Sequence, residues 1–159
     1  MPQLFFPAET QKAALIGWAV RHLPRAGRLT PEMSTPIGIV DGSGRRLLAV
    51  AIFHDYLREY GQIELTAVSV AHPARWCRPE IIAGLLHYPF RQAEARKLVC
   101  HIEVGNVPAE RFAAGAGMTK EAVLRHHFAH KHHAGVWSMM AGEYDRSRWA
   151  IPRETEQAA

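Results

Sequence analysis

The stretch AHPARWCRPEIIAGLL, at residues 71–86, reads as a tight basic connection followed by the start of a helix. The run before it, QIELTAVSV at 62–70, alternates apolar and polar residues as a half-buried strand does. Pro79 suits the first position of a helix, where a missing N–H costs no hydrogen bond. The sequence therefore predicts a strand, a basic loop and a helix reaching about residue 95, which Pro89 kinks or ends early.

The segments on either side predict the rest of an α/β (α+β) domain. Residues 10–22 carry apolar side chains at helical spacing, and residues 37–56 form two strand-like runs around a turn at 41–44. Downstream, the patterns predict a buried strand at 97–104, a short helix at 106–117 and a closing pair of strands at 119–128 and 134–140.

Antiparallel strands followed by a strand–helix–strand–helix unit indicate a single sheet domain, which we place at residues 1–150, with about seven strands. The chain turns polar from Asp145 onward and carries Pro152, so we expect this end to be loosely held. Residues 151–159 are predicted to form a polar C-terminal tail.

The composition suits one globular core and an anionic partner. The 159 residues are 48% hydrophobic, and the formal net charge is +4. That charge fits a phosphate-bearing cofactor, an acidic substrate or a nucleic acid, and equally an arginine-rich surface with no such partner. Cys77 and Cys100 lack paired spacing, so we expect reduced thiols rather than a disulfide framework or a structural zinc site.

The first residues and the hydropathy predict a cytoplasmic protein. MPQLFFPAET, at 1–10, lacks the basic start, long apolar run and cleavage site of a signal peptide. No apolar stretch approaches the length of a membrane span, so no membrane partner is expected.

Residues 36–149 resemble the GNAT family of acyl-CoA-dependent N-acetyltransferases in the order of their segments. Asn106 opens a helix that contains Arg111, and AGAGMTKEAVLR at 114–125 stands where the family has its GF..EG..R turn and strand. WSMMAGE at 137–143 is similar to the family's last strand. Trp76 and the YPF tripeptide at 88–90 are further similar to a branch of the family common in bacteriophages and proteobacteria.

The resemblance implies a central mixed, mostly antiparallel sheet flanked by helices, with two parallel strands that splay apart to form the cofactor cleft. It implies six to seven strands and about four helices, in keeping with the segment pattern. The implied activity is acetyl-CoA-dependent transfer of an acetyl group to an amine by direct attack on the thioester.

The cofactor site implied by the resemblance begins at the strand that ends near Val70. The thioester would meet the backbone of residues 68–70, and the pyrophosphate would sit on a loop of pattern Q/R-x-x-G-x-G/A at the helix start. This chain departs from that pattern, because Arg78 and Glu80 occupy the two glycine positions counted from Arg75. The implied cofactor residues are Val68, Ser69, Val70, Arg75, Trp76, Cys77, Arg78, Glu80, Ile81, Asn106 and Arg111.

Two readings of the glycine-free loop remain open. In the first, the helix N-terminus still offers N–H groups from residues 80–82, and the guanidinium groups of Arg75 and Arg78 replace close backbone approach to the phosphates. Glu80 opposes this reading, since a carboxylate repels a pyrophosphate. In the second, the charged residues only cap and solubilise an ordinary helix start.

The candidate catalytic residues are titratable groups on the two strands that the resemblance implies are splayed. Glu64 shares a strand face with Thr66 and Val68, and His101 shares one with Glu103. The interpretation is that Glu64 or His101 is the general base, with Glu103 as a third candidate; each is also compatible with a satisfied or solvent-facing side chain.

A general acid is absent from its usual place. Related enzymes often place a tyrosine seven residues after the asparagine, where this chain has Ala113. Three explanations stay open: the thiolate leaves without a dedicated acid, another group such as Tyr144 or a histidine serves, or the activity has been lost.

The histidine-rich stretch RHHFAHKHHAG, at 125–135, raises the question of a metal site, since imidazole binds zinc, copper and nickel. A hairpin is predicted there, which puts neighbours on opposite faces, and no cysteine or carboxylate cluster completes a ligand set. We therefore expect no metal and interpret the stretch as a solvated, pH-sensitive hairpin tip near the acceptor site.

The acceptor is not identified by the sequence, and a small-molecule or protein amine is the expected partner. One alternative is a catalytically inactive GNAT-like module, indicated by the missing glycines and Ala113. Another is an enzyme of this type acting on nucleic acid, which the basic charge allows but does not favour. The resemblance also makes a homodimer an expectation.

Overall fold

We describe a computed structural model of the protein, which covers residues 1–23, 29–70 and 75–153. Among these residues the strands are β1 (Gln3–Phe5), β2 (Ser34–Val40), β3 (Leu47–Leu57), β4 (Gln62–Ser69), β5 (Lys97–Glu103), β6 (Thr119–Ala129) and β7 (His132–Met140). The helices are α1 (Glu9–His22), α2 (Pro79–His87), α3 (Val107–Gly115) and α4 (Ala141–Asp145), and a π-helical segment (Tyr88–Gln92) continues α2.

The strands form one sheet in the order β1-β2-β3-β4-β5-β7-β6. β4 and β5 run parallel, whereas the other pairings of the described strands are antiparallel. The parallel pair is in register only from Gln62 opposite Lys97 to Glu64 opposite Val99. Because β4 continues to Ser69 and β5 to Glu103, the two strands separate beyond these residues. The expected mixed, mostly antiparallel sheet with a splayed parallel pair is confirmed.

Local sequence explains the turn between β2 and β3 and the end of α2. The Asp41 carboxylate accepts backbone N–H groups of Ser43 and Arg45, which closes the turn that the sequence predicted. Pro89 has no N–H to donate, and α2 gives way at His87 to the π-helical segment. The predicted interruption of the helix by Pro89 is thus confirmed.

The sheet has a different core on each face. α2, the π-helical segment and α3 pack on one face, where alternate residues of β3 such as Ala51 and Phe53 are buried. α1 covers part of the other face and packs against Val50, Ile52 and Val68. Since side chains alternate along a strand, His54 follows Ile52 on the α1 face, and this face carries the polar residues described below.

The end of the described chain is packed more closely than its polar composition predicted. Tyr144 is wholly buried and Trp149 is 5% exposed, and the indole N–H of Trp149 donates to the carbonyl of Ala116 (3.0 Å). The expectation of a loosely held end from Asp145 onward is therefore wrong for Trp149, and 154–159 lie outside the described residues. Across the described ranges, no helix is both long and apolar enough to span a membrane.

Candidate active site

Strand register brings Glu64 and His101 together on the α1 face of the sheet. Glu64 lies opposite Val99 at the last paired position of β4 and β5, and His101 is two residues further along on the same face. The carboxylate Oε1 of Glu64 lies 2.7 Å from Nδ1 of His101. Both side chains are about four-fifths buried, with 22% and 20% exposure. The two leading candidates for the base therefore form one hydrogen-bonded pair where the parallel strands begin to separate.

The pair makes the imidazole of His101 more basic. The hydrogen bond to Glu64 raises the pKa of His101 above its ordinary value, burial opposes this, and the negative charges of Glu64 and Asp55 add to the rise. A carboxylate can only accept a hydrogen bond, so Nδ1 carries the donated proton. Nε2 is then the ring nitrogen that is left to exchange a proton with a bound group.

The histidine-rich hairpin lies beside this pair. The ring of His127 stacks on that of His101, with centroids 4.8 Å apart and an interplanar angle of 15°. Register between β6 and β7 is interrupted between Leu124 and Ala129, and His126 has a φ of 54°, so the strand does not alternate regularly here. The hairpin between β6 and β7 thus lies next to the Glu64–His101 pair, and its place near an acceptor site stays a prediction.

Glu103, the third candidate base, has a different partner. Its carboxylate pairs with Nδ1 of His132 on β7, and the two side chains are 40% and 44% exposed. Glu103 shares a strand face with His101 but lies two residues nearer the end of β5. The structure therefore brings Glu64 and His101 into contact and ties Glu103 to the histidine-rich hairpin instead.

A second polar network on the same face was missed by sequence reasoning. Nδ1 of His54 lies 2.8 Å from Oδ2 of Asp55, and Nε2 lies 2.8 Å from Oγ1 of Thr66. His54 is only 8% exposed and lies opposite Glu64 across β3 and β4. The adjacent His and Asp gave no signal, because neighbours on a regular strand point to opposite faces. Asp55 departs from regular strand geometry, because its φ is 48°, and its carboxylate reaches the ring of His54.

These residues also form a group with the chemistry of metal ligands. One ligand atom from each of His54, Asp55 and Glu64 lies within 4.8 Å of the other two. Within the described ranges, this is the one group of three or more His, Cys, Asp or Glu side chains that could hold a metal ion. The histidine-rich hairpin does not join it. A cation bound here would have to displace the proton that His54 shares with Asp55.

The basic connection before α2 keeps two arginines at the surface. Residues 71–74 lie outside the described residues, whereas Arg75, Arg78 and Glu80 are described and exposed. Arg78 is the N-cap of α2, and its guanidinium lies 2.6 Å from the sulfur of Met1. Glu80 and Ile81 occupy the first turn, where backbone N–H groups have no acceptor within the helix.

Other residues predicted to hold the cofactor have structural contacts. Ile82 donates its N–H to the carbonyl of Arg78 (3.0 Å), so the expectation that it offers this group to a phosphate is wrong. Trp76 is 4% exposed, donates its indole N–H to Oγ of Ser69 (2.8 Å) and packs near Phe112 of α3. Burial raises the pKa of the Cys77 thiol, which favours its neutral form.

The end of β4 is the segment where the resemblance implied that an acyl group would lie. Val68 is buried against α1, and Val70 donates its N–H to the carbonyl of Leu48 on the β3 side (3.2 Å). Alternate residues of a strand direct their backbone groups to opposite sides, so Ser69 directs its own toward the side from which β5 has separated.

The residues of α3 that the sequence singled out divide into structural and surface positions. Asn106 is the N-cap of α3, and its side-chain oxygen accepts the N–H of Ala109 (3.4 Å). Arg111 is exposed on the same helix, and Ala113 is wholly buried.

Tyr144 is not placed to act as a general acid. Its ring stacks on Phe90, with centroids 4.8 Å apart, and its hydroxyl accepts the N–H of Ile151 (3.1 Å). The side chain is wholly buried in the core on the α2 face. The alternative that gave Tyr144 this role is therefore wrong.

Comparison with known proteins reveals the fold. No protein-family model and no curated protein matches the sequence. A chimera of the spermidine N-acetyltransferase SpeG from Vibrio cholerae and hSSAT is 12% identical, with a TM-score of 0.73, over 92% of this chain and 99% of that chain. A dodecameric spermidine N-acetyltransferase from Vibrio cholerae is also 12% identical, with a TM-score of 0.72, over 91% of this chain and 96% of that one.

A ribosomal-protein-S5-alanine acetyltransferase from Vibrio fischeri is 9% identical, with a TM-score of 0.69, over 94% of this chain and 96% of the other. At these identities the likeness concerns the fold. The chain has the GNAT fold that the sequence resemblance implied.

Proposed function

We propose that this chain is an acetyl-CoA-dependent N-acetyltransferase that passes the acetyl group directly from the thioester to an amine. The observation that carries the proposal is the Glu64–His101 pair, 2.7 Å apart on the two parallel strands where they separate. The solved structures that share this fold include N-acetyltransferases, which supports acyl transfer as the reaction class. The proposed acceptor is a small-molecule or protein amine.

In the proposed reaction His101 is the general base. Its Nε2 takes a proton from the acceptor ammonium, while Glu64 accepts the Nδ1–H and holds the ring in place. The free amine then attacks the carbonyl carbon and a C–N bond forms. The nitrogen gives its second proton to water, and the C–S bond breaks as the thiolate leaves. The imidazolium can return its proton to the departing sulfur, so the reaction does not depend on an acid at position 113.

The proposed cofactor contacts are fewer than the sequence implied. The exposed guanidinium groups of Arg75 and Arg78 and the N–H groups of Glu80 and Ile81 fit a pyrophosphate at the start of α2. The Glu80 carboxylate opposes this fit. Ser69 directs its backbone groups toward the proposed acyl position. Arg111 is an exposed cation on α3. Trp76 and Asn106 make structural hydrogen bonds, and we propose no cofactor contact for them.

The test is an acetylation assay with purified protein, acetyl-CoA and a panel of primary amines and peptides. The free CoA thiol and the acetylated product would be measured together, the second by mass spectrometry. We expect both to appear in equal amounts and to depend on His101. Calorimetry showing no binding of acetyl-CoA or CoA would overturn the proposal and favour an inactive module.

A further inference from the structure

The Asp55–His54–Thr66 network has the order of a carboxylate, an imidazole and a hydroxyl. Asp55 can only accept, so Nδ1 of His54 donates to it over 2.8 Å. In the neutral imidazole Nε2 must then accept, and the Thr66 hydroxyl at 2.8 Å is its donor. This arrangement aligns a base on the hydroxyl oxygen and fixes the base in the tautomer that can take the hydroxyl proton.

The network depends on a local departure from regular strand geometry. Register between β3 and β4 is interrupted between His54 and Leu57, and Asp55 has a φ of 48°, a conformation that non-glycine residues rarely adopt. Only this departure lets Asp55 reach the ring of the residue before it. The imidazole itself is held in place, because the side chain of His54 is 9% exposed between its two partners.

Thr66 lies between the proposed base and the proposed acyl position. It shares the α1 face with Glu64, two residues before it on β4, and with Val68, two residues after it. The carboxylate of Glu64 is within 4.8 Å of ligand atoms of His54 and Asp55, so the two networks adjoin. A thioester at residues 68–70 would have Thr66 as a near neighbour on the same strand.

We propose that Thr66 is an activated nucleophile that accepts an acyl group from acyl thioesters and activated esters and passes it to water. For acetyl-CoA this rests on the proposed function, whereas for a small activated ester it does not. Oγ1 attacks the carbonyl carbon and gives its proton to Nε2 of His54. The C–S bond then breaks, and the departing thiolate takes that proton as the acetyl-threonine ester forms.

Water completes the cycle. It attacks the ester carbonyl while Nε2 takes one of its protons, and the C–O bond to Thr66 breaks as the proton returns to Oγ1. Acetate and CoA are the products, so the balance is hydrolysis of the thioester and no further reactant is needed. Asp55 is a positioning residue in this scheme, since it acts through His54.

The test uses acetyl-CoA and, separately, p-nitrophenyl acetate, both without an amine. Thr66→Val removes the hydroxyl and keeps the shape, Thr66→Ser keeps the hydroxyl, and Thr35→Val is the matched control on β2. We expect Thr66→Val to abolish hydrolysis of both esters, and Thr66→Ser and Thr35→Val to retain it. Intact-mass spectrometry of quenched wild type should show one added acetyl group, mapped to the peptide that contains Thr66.

Asp55→Asn provides a test at an exposed position. The amide can donate to Nδ1 and so favour the tautomer that cannot accept from Thr66, and hydrolysis should fall by roughly a hundredfold or more. Nitrogen NMR of His54 should show the Nδ1–H tautomer in the wild type and its loss in Asp55→Asn. This signature separates positioning of the base from a general effect on folding.

Distinct outcomes separate this proposal from the proposed function. Turnover of p-nitrophenyl acetate that depends on Thr66, without binding of acetyl-CoA, would support the nucleophile and overturn the acetyltransferase. Transfer to amines without hydrolysis of either ester would overturn the nucleophile alone. Hydrolysis that is lost in chelator and restored by Zn²⁺ would overturn it in favour of a metal at His54, Asp55 and Glu64.

Discussion

The polar cluster on β3, β4 and β5 and the basic connection before α2 differ in how their side chains are held. In the cluster, His54 and the Glu64–His101 pair are held by side-chain hydrogen bonds, one within β3 and two between neighbouring strands. In the connection, Arg75 and Arg78 project from the surface, and the buried residue between them, Trp76, is bound to the scaffold. The first region is organised by these hydrogen bonds, whereas the described residues of the second present the exposed charges of Arg75 and Arg78 at the surface.

Under the proposed function, this difference gives the two regions separate tasks. Chemistry needs groups held within a fraction of an ångström, and strand register supplies that. Attraction of a phosphate needs positive charge at roughly the right place, which exposed arginines supply at a helix N-terminus. Changes in the cluster should therefore affect the rate of transfer, and changes in the connection should affect binding.

The largest effect is expected from His101→Gln. The proposed general base is lost, and general-base catalysis contributes roughly a hundredfold to ten-thousandfold. kcat for acetyl transfer should fall by that factor, while the Kd for acetyl-CoA measured by calorimetry stays close to the wild-type value. An unchanged kcat would show that His101 takes no part in the reaction. It would also contradict the assignment of catalysis to the polar cluster.

Glu64→Gln should give a smaller loss of rate and a shift in pH dependence. Glu64 raises the pKa of His101, so transfer by the wild type should rise with pH through a value above that of an ordinary histidine. Without the carboxylate this limb should move to lower pH, because the imidazole loses its proton more easily. On the plateau we expect a loss of roughly tenfold to a hundredfold, since the ring is less well oriented.

The pH–rate profile of kcat/KM measures this shift. Glu103→Gln is the control, because that carboxylate pairs with His132 instead of His101. If the rising part of the pH–rate profile moved in Glu103→Gln and stayed in place in Glu64→Gln, the proposed effect of Glu64 on the pKa of His101 would be contradicted.

The double variant Arg75→Ala, Arg78→Ala should weaken acetyl-CoA binding by roughly tenfold, since exposed ion pairs contribute up to about 1 kcal/mol each. The matched control is Arg45→Ala, Arg46→Ala in the exposed turn between β2 and β3, which removes the same charge. Equal losses of acetyl-CoA affinity in both double variants would show that the basic connection acts only through long-range charge.

The smallest effect is expected at Trp76, which lies in the basic connection and contacts Ser69 at the end of β4. Trp76→Phe removes the indole hydrogen bond to Ser69 and should lower the free energy of unfolding by about 1 kcal/mol. Trp137→Phe is the matched control, because in the described part of the chain the buried indole nitrogen of Trp137 has no hydrogen-bond partner. That change should be neutral or stabilising. Denaturant titration of both variants measures the difference.

Much of the fold and half of the cluster could be predicted from the sequence. Alternation along β4 and β5 placed Glu64 and His101 on strand faces, and the resemblance supplied the parallel pairing that brings them together. The Asp55–His54–Thr66 network could not be predicted, because it needs a positive φ at a non-glycine residue and an interrupted register. Neither feature leaves a mark on a single sequence.

The sequence by itself determined the elements, since turn residues, proline positions and apolar periodicity act over a few neighbouring residues. It also determined the chemistry available, which is a net positive charge and titratable imidazole and carboxylate side chains on the strands. Only the tertiary structure decided which charged groups meet. Contacts such as that of His127 with His101, or of Trp76 with Ser69, depend on strand register and on the packing of whole elements, which are properties of the folded chain.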